Sequence, residues 1–558
     1  MKRINVLVAG IAFCLVAMSC TENQNDPVAV CENGQFVGYV EDNGVLAFKG
    51  IPFAKSPVEE LRWKAPLPVV PSGKVIEAKN YGLPGLQPYD EGEVASHGGL
   101  SEDCLRLNVW TKDLEMKPGR PVMVWFHGGS YGWGGTIDPL YEGKYLVAEY
   151  PDVVFVSVEY RVNAMGFIDF VDVPGGGDFP DAPFLGILDQ QQALRWIQKN
   201  ISAFGGDPDN VTIFGESAGG GSVSCHLIAK GSEGLFRRAV PMSGEICLEH
   251  TPDNYKSTGQ AAKLLAATGC TDMDGLMALS ETDLLKALNT EAGGISAEGV
   301  GGLVGDFNNW PMRSDERSII PFDGYKAILE GKSKDVDVMV GIVADEIRYW
   351  AHLQYDPSDK ESPLAFYYDW AKEKVDEIKK IGGLETARRI DESLKCIDPD
   401  NDEWDARHPG IWKYTEILNN YNFRLGSITM AQNHSDAGGK GKTYMYVFCK
   451  GYEKGSHPGE DYMKACHACE LTYAFNNSSY VGEGPYDPVL TRRFSNILVN
   501  FARNGDPGIE GLEFPEYDKN NRSTIIVGRD SEIYVEKNPL AMETELLLPT
   551  YYDFFLKR

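Results

Sequence analysis

The segment GESAGG, residues 215–220, places a serine between two glycines in a G-x-S-x-G pattern. The apolar run VTIF precedes it and a predicted helix follows, so Ser217 is expected on a sharp turn from strand to helix. Gly215 and Gly219 supply room that larger residues would fill. The helix N-terminus also favours negative charge nearby. The pattern indicates a nucleophile for acyl transfer and not a P-loop, whose lysine and spacing are missing.

A second glycine-rich segment, VWFHGGSYGWGG at residues 124–135, would serve such a nucleophile. An apolar strand that runs into His-Gly-Gly is typical of loops whose backbone N–H groups bind a developing oxyanion. Loss of one such donor costs about 3 kcal/mol. His127 is then expected to shape the loop and not to act as the base. The predicted donors are the N–H groups of Gly129, Ser130 and Ala218.

The segment KACHACELTYAF, residues 464–475, raises a separate question because two cysteines flank His467. A zinc site needs about four ligands, and no second C-x-x-C or H-x₃-H lies nearby. Haem attachment would require a histidine directly after Cys469, where the chain has Glu470. A redox pair is disfavoured without a thioredoxin-like context. We therefore expect no metal and no other cofactor.

The elements that must position these residues are short apolar runs that alternate with helical segments. The runs RPVMVWFHGG, DVVFVSVEYR, NVTIF, DVDVMVGIVADE and KTYMYVFCK predict buried strands. Alternation with helices such as LDQQQALRWIQKNI predicts an α/β protein with a mostly parallel central sheet. An Asn-Gly turn near residue 44 predicts N-terminal hairpin strands. Weak strand signals in 250–330 and 350–440 indicate helical insertions over the site.

Charge and the N-terminus limit partners and location. The chain has 558 residues, with 53 basic against 81 acidic side chains and a net charge of −28, which argues against nucleic acid as a partner. Residues 1–19 resemble a bacterial lipoprotein signal, in which Lys2 and Arg3 precede an apolar run that ends before Cys20. We expect lipid on Cys20, a polar tether over 20–30 and one domain over 31–558. Plain secretion is the alternative, and only the anchor would touch the membrane.

Long ordered segments resemble the type-B carboxylesterases, the family of cholinesterases and bacterial para-nitrobenzyl esterases. The resemblance covers nearly all of the chain after the signal. It rests on GVLAFKGIPFA, LRWKAPLP, SEDCLRLNVW, WFHGGS, EYRVNAMGF, QQALRWIQKNISAFGGDPDNVTIFGESAGG and FRRAVPMSG. It implies an α/β-hydrolase fold and metal-free ester hydrolysis by a Ser–Glu–His triad.

The resemblance also assigns the acid and the base. The family's acid follows a strand in a D-E-G motif, which carries over to Glu346 although Ile347 replaces the glycine; Asp345 is the fallback. Among the histidines after Glu346, only His457 and His467 follow the last apolar strand. The family's H-x-x-E-L-x-x-x-F style fits HACELTYAF, so His467 is the expected base. Glu216, beside the nucleophile, is expected to add negative potential on the alcohol side of the pocket.

The cysteines depart from the family in one respect. The stretch YGLPGLQP lacks the partner of the family's first disulfide, so Cys104 pairs with Cys31 or stays free. The choline-binding tryptophan of that loop is missing too, which makes acetylcholine a poor substrate. The second disulfide carries over to Cys247 and Cys270. Pairing of Cys396, Cys449, Cys466 and Cys469 is left open.

These expectations predict a serine esterase that acts on small to medium carboxylic esters. A lipase, thioesterase or amidase could use the same site, since inserted loops set the leaving group and acyl length. A non-catalytic adhesion protein of the same fold is the rival from another class. The complete set of Ser217, Glu346 and His467 argues against that rival.

Overall fold

The computed structural model describes residues 26–88, 98–115, 117, 119–244, 246, 260–289, 318–321, 323–353, 365–397, 411–451, 463–477 and 487–556. Its strands are β1 Val28–Cys31, β2 Gly34–Val37, β3 Tyr39–Val40, β4 Leu46–Pro52, β5 Val75–Glu77, β6 Arg106–Thr111, β7 Val122–Phe126, β8 Val154–Val158, β9 Val211–Glu216, β10 Arg238–Met242, β11 Asp337–Val343, β12 Thr443–Phe448, β13 Ser523–Arg529 and β14 Glu532–Lys537.

Its α-helices are α1 Lys144–Glu149, α2 Asn163–Gly166, α3 Leu185–Asn200, α4 Ala218–His226, α5 Gln260–Thr268, α6 Met273–Met277, α7 Glu281–Leu288, α8 Gly324–Leu329, α9 Arg348–Leu353, α10 Ala365–Gly382, α11 Leu384–Cys396, α12 Ile411–Asn419, α13 Leu425–Asp436, α14 Leu471–Ala474, α15 Pro488–Asn504 and α16 Leu548–Phe555. Two π-helices, Asn420–Arg424 and Glu543–Leu547, adjoin α12 and α16.

The main sheet has 11 strands in the order β14-β13-β12-β11-β10-β9-β7-β8-β6-β4-β3. The strands from β13 to β8 in this order pair in parallel, and antiparallel strands close both ends. Each chain connection between these parallel strands contains at least one helix, as the alternating pattern predicts. The predicted α/β architecture is confirmed.

Strand β7 shows why the middle strands are apolar throughout. Val122, Val124 and Phe126 pack into the core on one face of the sheet, and Met123 and Trp125 pack into the core on the other. A parallel strand covered on both faces needs apolar side chains at every position, not at alternate ones. The run VMVWF meets that need. It ends directly before the glycine-rich loop of the proposed oxyanion donors.

The N-terminal hairpin and the helical insertions follow the prediction, whereas the first strand begins inside the segment expected to be a tether. Strands β3 and β4 pair antiparallel around the Asn43-Gly44 turn, while β1, β2 and β5 form a separate small sheet. Strand β1 takes in 28–30, the end of the expected tether. In the chain, helices α5–α8 come between β10 and β11, and helices α9–α13 come between β11 and β12. Within the described ranges, no helix is both long and apolar enough to cross a bilayer.

Candidate active site

Ser217 lies where β9 ends and α4 begins, on a strained turn. Its φ is 57° and its ψ is −124°, values that a side-chain-bearing residue adopts only when its surroundings enforce them. A Cβ on Gly219 would lie 2.0 Å from the carbonyl oxygen of Phe126, and one on Gly215 would lie 2.5 Å from Gly219. Both glycines of the pattern are therefore required by packing between β7, β9 and α4.

The loop after β7 turns back over the nucleophile. A Cβ on Gly128 would lie 3.3 Å from the Cβ of Ser217, so the two backbones are close neighbours. Gly129 has a φ of 106° and Ser130 a φ of 53°, both in the left-handed region. Three N–H groups near Ser217 donate no hydrogen bond within the described part of the chain, and an oxyanion could accept from them. They belong to Gly129, Ser130 and Ala218.

Glu346 follows β11 and is held on three sides. One carboxylate oxygen, Oε1, accepts from the Ser243 hydroxyl at 2.7 Å and from the Val343 N–H at 3.0 Å. The other, Oε2, lies 2.6 Å from Nδ1 of His467. The side chain is only 1% exposed. Because the carboxylate accepts only, Nδ1 carries the hydrogen and the imidazole is fixed with Nε2 facing away from the acid.

Ser243 is a site residue that the sequence did not reveal. It stands one residue after β10, with a positive φ of 45°, and its partner is 103 positions further along the chain. A serine after a buried strand is common, so its type alone carries no signal. Its position beside the nucleophile strand becomes evident only from the order β11-β10-β9 in the sheet.

Asp345, the alternative acid, does not face the imidazole. Its carboxylate pairs with Arg348 at 3.2 Å and accepts from the Ala465 N–H at 3.3 Å. Its own N–H donates to the Ala465 carbonyl. Asp345 therefore ties the loop of the acid to the segment that carries His467, and Glu346 is the residue that contacts the ring.

His467 is buried, and its ring lies 5.0 Å from Trp350 and 4.9 Å from Phe423. Its Nε2 makes no hydrogen bond among the described residues, Ser217 included. Glu216 Oε1 lies 3.1 Å from Nε2, outside hydrogen-bond alignment. Burial lowers the pKa of His467, but the Glu216 charge and the Glu346 hydrogen bond outweigh it and raise the pKa to about 9.

Two further glutamates surround the imidazole. Burial raises the pKa of Glu216 to about 7, although the charge of His467 opposes this. Glu470 is fully buried three residues after His467, and neither carboxyl oxygen has a hydrogen-bond partner in the described structure. Burial and the charges of Glu216 and Glu346 raise its pKa well above the usual range. A protonated Glu470 limits the repulsion among three buried carboxyl groups.

The sequence model of the carboxylesterase family matches residues 25–546. The chain belongs to the carboxylesterase family. It is 31% identical to a para-nitrobenzyl esterase of Bacillus subtilis over 94% of this chain and 99% of the relative, and 30% identical to the liver carboxylesterase of Sus scrofa over 88% of each. A solved para-nitrobenzyl esterase superposes with a TM-score of 0.74 at 29% identity, over 94% of this chain and all of that one.

Membership makes this carboxylesterase a serine ester hydrolase with the α/β-hydrolase fold. The cysteines beside its histidine are thiols. The Cys469 N–H donates to the Cys466 carbonyl at 3.1 Å, which closes a turn around His467. Cys31 and Cys104 are thiols too, so of the two alternatives for Cys104 the structure has the free one.

Other predicted positions are only partly covered. Cys270 forms no disulfide with a described cysteine, and its expected partner Cys247 lies outside the described residues. Cys20 and the rival histidine His457 also lie outside them. No group of three or more His, Cys, Asp or Glu side chains in the described ranges is arranged to hold a metal ion.

Proposed function

We propose that the carboxylesterase hydrolyses small to medium carboxylic esters through an acyl-enzyme formed on Ser217. The observation that carries the proposal is the 2.6 Å contact between Glu346 and Nδ1 of His467, which turns Nε2 away from the acid. Ser217 occupies the strained turn next to three N–H groups that donate no hydrogen bond to the described residues. Nucleophile, base and oxyanion donors are the parts that two-step acyl transfer requires.

In the first step, neutral His467 accepts the proton of the Ser217 hydroxyl as its oxygen bonds to the ester carbonyl carbon. The oxyanion is bound by the N–H groups, and its collapse breaks the bond to the alcohol oxygen, which takes the proton from His467. In the second step, water gives a proton to His467 and attacks the acyl carbon. Collapse then releases the acid and returns the proton to Ser217.

Glu216 is proposed to lie on the alcohol side of the pocket. Its carboxylate lies 3.1 Å from Nε2 of His467, the atom that hands a proton to the leaving alcohol. A negative charge there favours cationic or polar alcohol groups over apolar ones. A panel of p-nitrophenyl esters, neutral alkyl esters, amino-alcohol esters, thioesters and anilides would rank the leaving groups.

The first test is turnover of p-nitrophenyl acetate and butyrate. Ser217→Ala is expected to lower kcat by at least about 10⁴-fold, and His467→Gln by a similar factor. Glu346→Gln should cost about 10⁴-fold because it loses the charge that stabilises the imidazolium. Asp345→Asn is the matched control on the same loop, with a smaller loss. Activity that survives Ser217→Ala would overturn the assignment.

We also propose that the enzyme is exported and held at a membrane by lipid on Cys20. Support comes from the charged start, the apolar run and the abrupt polarity after Cys20. In bacterial cells, Cys20→Ala should abolish incorporation of a labelled fatty acid and release the enzyme from the membrane fraction. We also propose a disulfide between Cys247 and Cys270, and non-reducing peptide mapping tests it.

A further inference from the structure

His127 is buried behind the loop that carries the oxyanion donors. Its side chain is 0% exposed, and its ring stacks on Tyr160 with centroids 4.3 Å apart. The Tyr160 hydroxyl donates to the His127 carbonyl at 2.6 Å. On the other side, Nδ1 lies 2.8 Å from the carbonyl oxygen of Gly128. A carbonyl oxygen accepts only, so Nδ1 carries the hydrogen of this ring.

The other ring nitrogen faces a buried acid. Nε2 of His127 lies 3.8 Å from Oε1 of Glu159, and neither atom makes a hydrogen bond in the described part of the chain. The second oxygen of Glu159, Oε2, accepts from the Thr136 N–H at 2.8 Å and from its hydroxyl at 3.0 Å. Glu159 is 2% exposed, so its carboxyl group is shielded from bulk solvent.

Without a proton between them, a lone pair of Nε2 would face a carboxylate oxygen in a buried site, which is repulsive and leaves two polar atoms unsatisfied. One proton on either group turns the contact into a donor facing an acceptor. We propose that His127 and Glu159 share one proton and act as a positioning pair for the oxyanion loop, an inference that rests on the proposed function of Ser217.

The direction of the shifts supports this arrangement. Burial raises the pKa of Glu159 to about 7, against the hydrogen bonds from Thr136 and the backbone N–H of Gly85, and burial lowers the pKa of His127 to about 4, against the bond to Gly128. Of the two groups, the carboxyl group therefore takes the proton more readily, and the imidazole is neutral. The pair then carries no net charge in a site where an isolated charge would be costly.

The pair acts on catalysis through a single peptide unit. The Gly128 carbonyl, which accepts from His127, and the Gly129 N–H, a proposed oxyanion donor, belong to the same planar trans peptide. Fixing the direction of that carbonyl fixes the N–H in the opposite direction. The hydrogen bond also polarises the peptide and strengthens its N–H as a donor. Glu159 holds the far end of the loop through Thr136, so the pair anchors both ends.

Other ionisable groups around the pair must be distinguished from it. Cys104 is a buried thiol whose pKa is raised by burial. Arg161 is neutralised by Asp189 at 2.7 Å. A Cβ on Gly128 would lie 3.2 Å from a Glu216 carboxylate oxygen, so Glu216 approaches the loop from the nucleophile side. Variants at Glu159 leave these groups in place.

The experiment compares Glu159→Gln with Glu159→Met. Glutamine can donate its amide hydrogen to Nε2 and accept from Thr136, whereas methionine fills the space and leaves Nε2 unsatisfied. We expect Glu159→Met to lower kcat about 10²-fold with little change in KM, because one oxyanion donor is misaligned. Affinity for a trifluoromethyl ketone that forms an oxyanion on Ser217 should fall in parallel. Glu159→Gln should recover most of kcat, because its amide can donate to Nε2.

Two measurements keep the outcome clear. His434→Gln is the control for disturbing a buried polar group away from the oxyanion loop. Like His127, His434 is buried and contacts a backbone carbonyl, that of Ser333. The infrared difference spectrum between wild type and Glu159→Gln should show the carbonyl band of a protonated carboxyl group, independently of activity. An inactive wild type would refute the proposed function alone. A missing band, or equal kcat losses in both Glu159 variants, would refute the shared proton.

Discussion

The protonation of His467 depends on the two carboxylates at opposite ends of its ring. Glu346 at Nδ1 and Glu216 near Nε2 both stabilise the imidazolium, and together they raise its pKa to about 9 against the effect of burial. Attack on an ester needs the neutral imidazole, so the acidic limb of kcat/KM reports the loss of this proton. Glu346 also orients the ring, whereas Glu216 contributes charge without a hydrogen bond.

Glu216→Gln is therefore expected to move the acidic limb of kcat/KM to lower pH. The Glu216 charge raises the pKa of His467, so its removal lowers that pKa and lets the neutral base form in more acid solution. The shift should be about one pH unit or more for charges this close. The measurement is the pH dependence of kcat/KM on a neutral p-nitrophenyl ester. An acidic limb that stays in place or moves upward would contradict this account.

At the same scale, the residues that sequence reasoning found differ from those it missed. Ser217 and the glycines around it can be recognised from the sequence because one local turn requires all of them. Ser243 and Glu159 gain their roles from partners in loops that follow other strands, and no local pattern records such a pairing. Glu470 entered the sequence argument only as part of the H-x-x-E-L motif. The structure shows that its carboxyl group is buried and has no hydrogen-bond partner among the described residues.

At the scale of elements, the HACELTYAF segment is fixed to the sheet by its last aromatic residue. The ring of Phe475 lies 4.9 Å from that of Trp125 on β7 and 6.0 Å from that of Phe214 on β9. Trp125 and Phe214 belong to the two strands that lead to the oxyanion loop and to Ser217. The aromatic end of the motif thus packs the segment of His467 against the strands that carry its partners.

The loop that carries Glu346 is held by two residues in or next to the π-helix Asn420–Arg424. The Ile347 N–H donates to the side chain of Asn419 at 2.8 Å, and Arg424 donates to the Ala344 carbonyl at 2.9 Å. Ile347 is fully buried, and its φ is not positive. The isoleucine in place of the family's usual glycine is therefore accommodated, because this backbone does not need a glycine there.

Gly219→Ala should disrupt the junction between β9 and α4. Its Cβ would lie 2.0 Å from a backbone oxygen of β7, an atom that cannot rotate away as a side chain can. We expect a loss of about 3 kcal/mol or more in the free energy of unfolding, together with loss of esterase activity. Urea unfolding followed by circular dichroism measures the first. Gly73→Ala is the control, since nothing lies within 4 Å of its Cβ; equal stability of the two variants would contradict the packing argument.

At the scale of the whole molecule, the sequence predicted the class of sheet but not its order. Apolar runs such as VMVWF and VFVSV indicate buried parallel strands wherever they stand. That β7 lies between β9 and β8, beside the nucleophile strand, depends on how crossovers pack on both faces. Family resemblance supplied the pairing of Glu346 with His467, because their 121-residue separation hides it from any local pattern.

Burial by the whole fold also divides the cysteines into two reactivity classes. Cys396, at the end of α11, is exposed, while Cys466 and Cys469 lie beside His467 with pKa values raised well above the usual range by burial. The thiolate is the reactive form, so iodoacetamide should modify Cys396 in the native enzyme and leave the other two largely unmodified.

Peptide mapping by mass spectrometry after a short labelling pulse measures the difference, and labelling in denaturant provides the control in which all three thiols react. We expect activity to survive the native pulse, because Cys396 contacts none of the proposed catalytic groups. Equal labelling of Cys396 and Cys466 would mean that the turn around His467 opens in solution. In that case the imidazole would be open to solvent, and the charges of Glu216 and Glu346 would affect its pKa less.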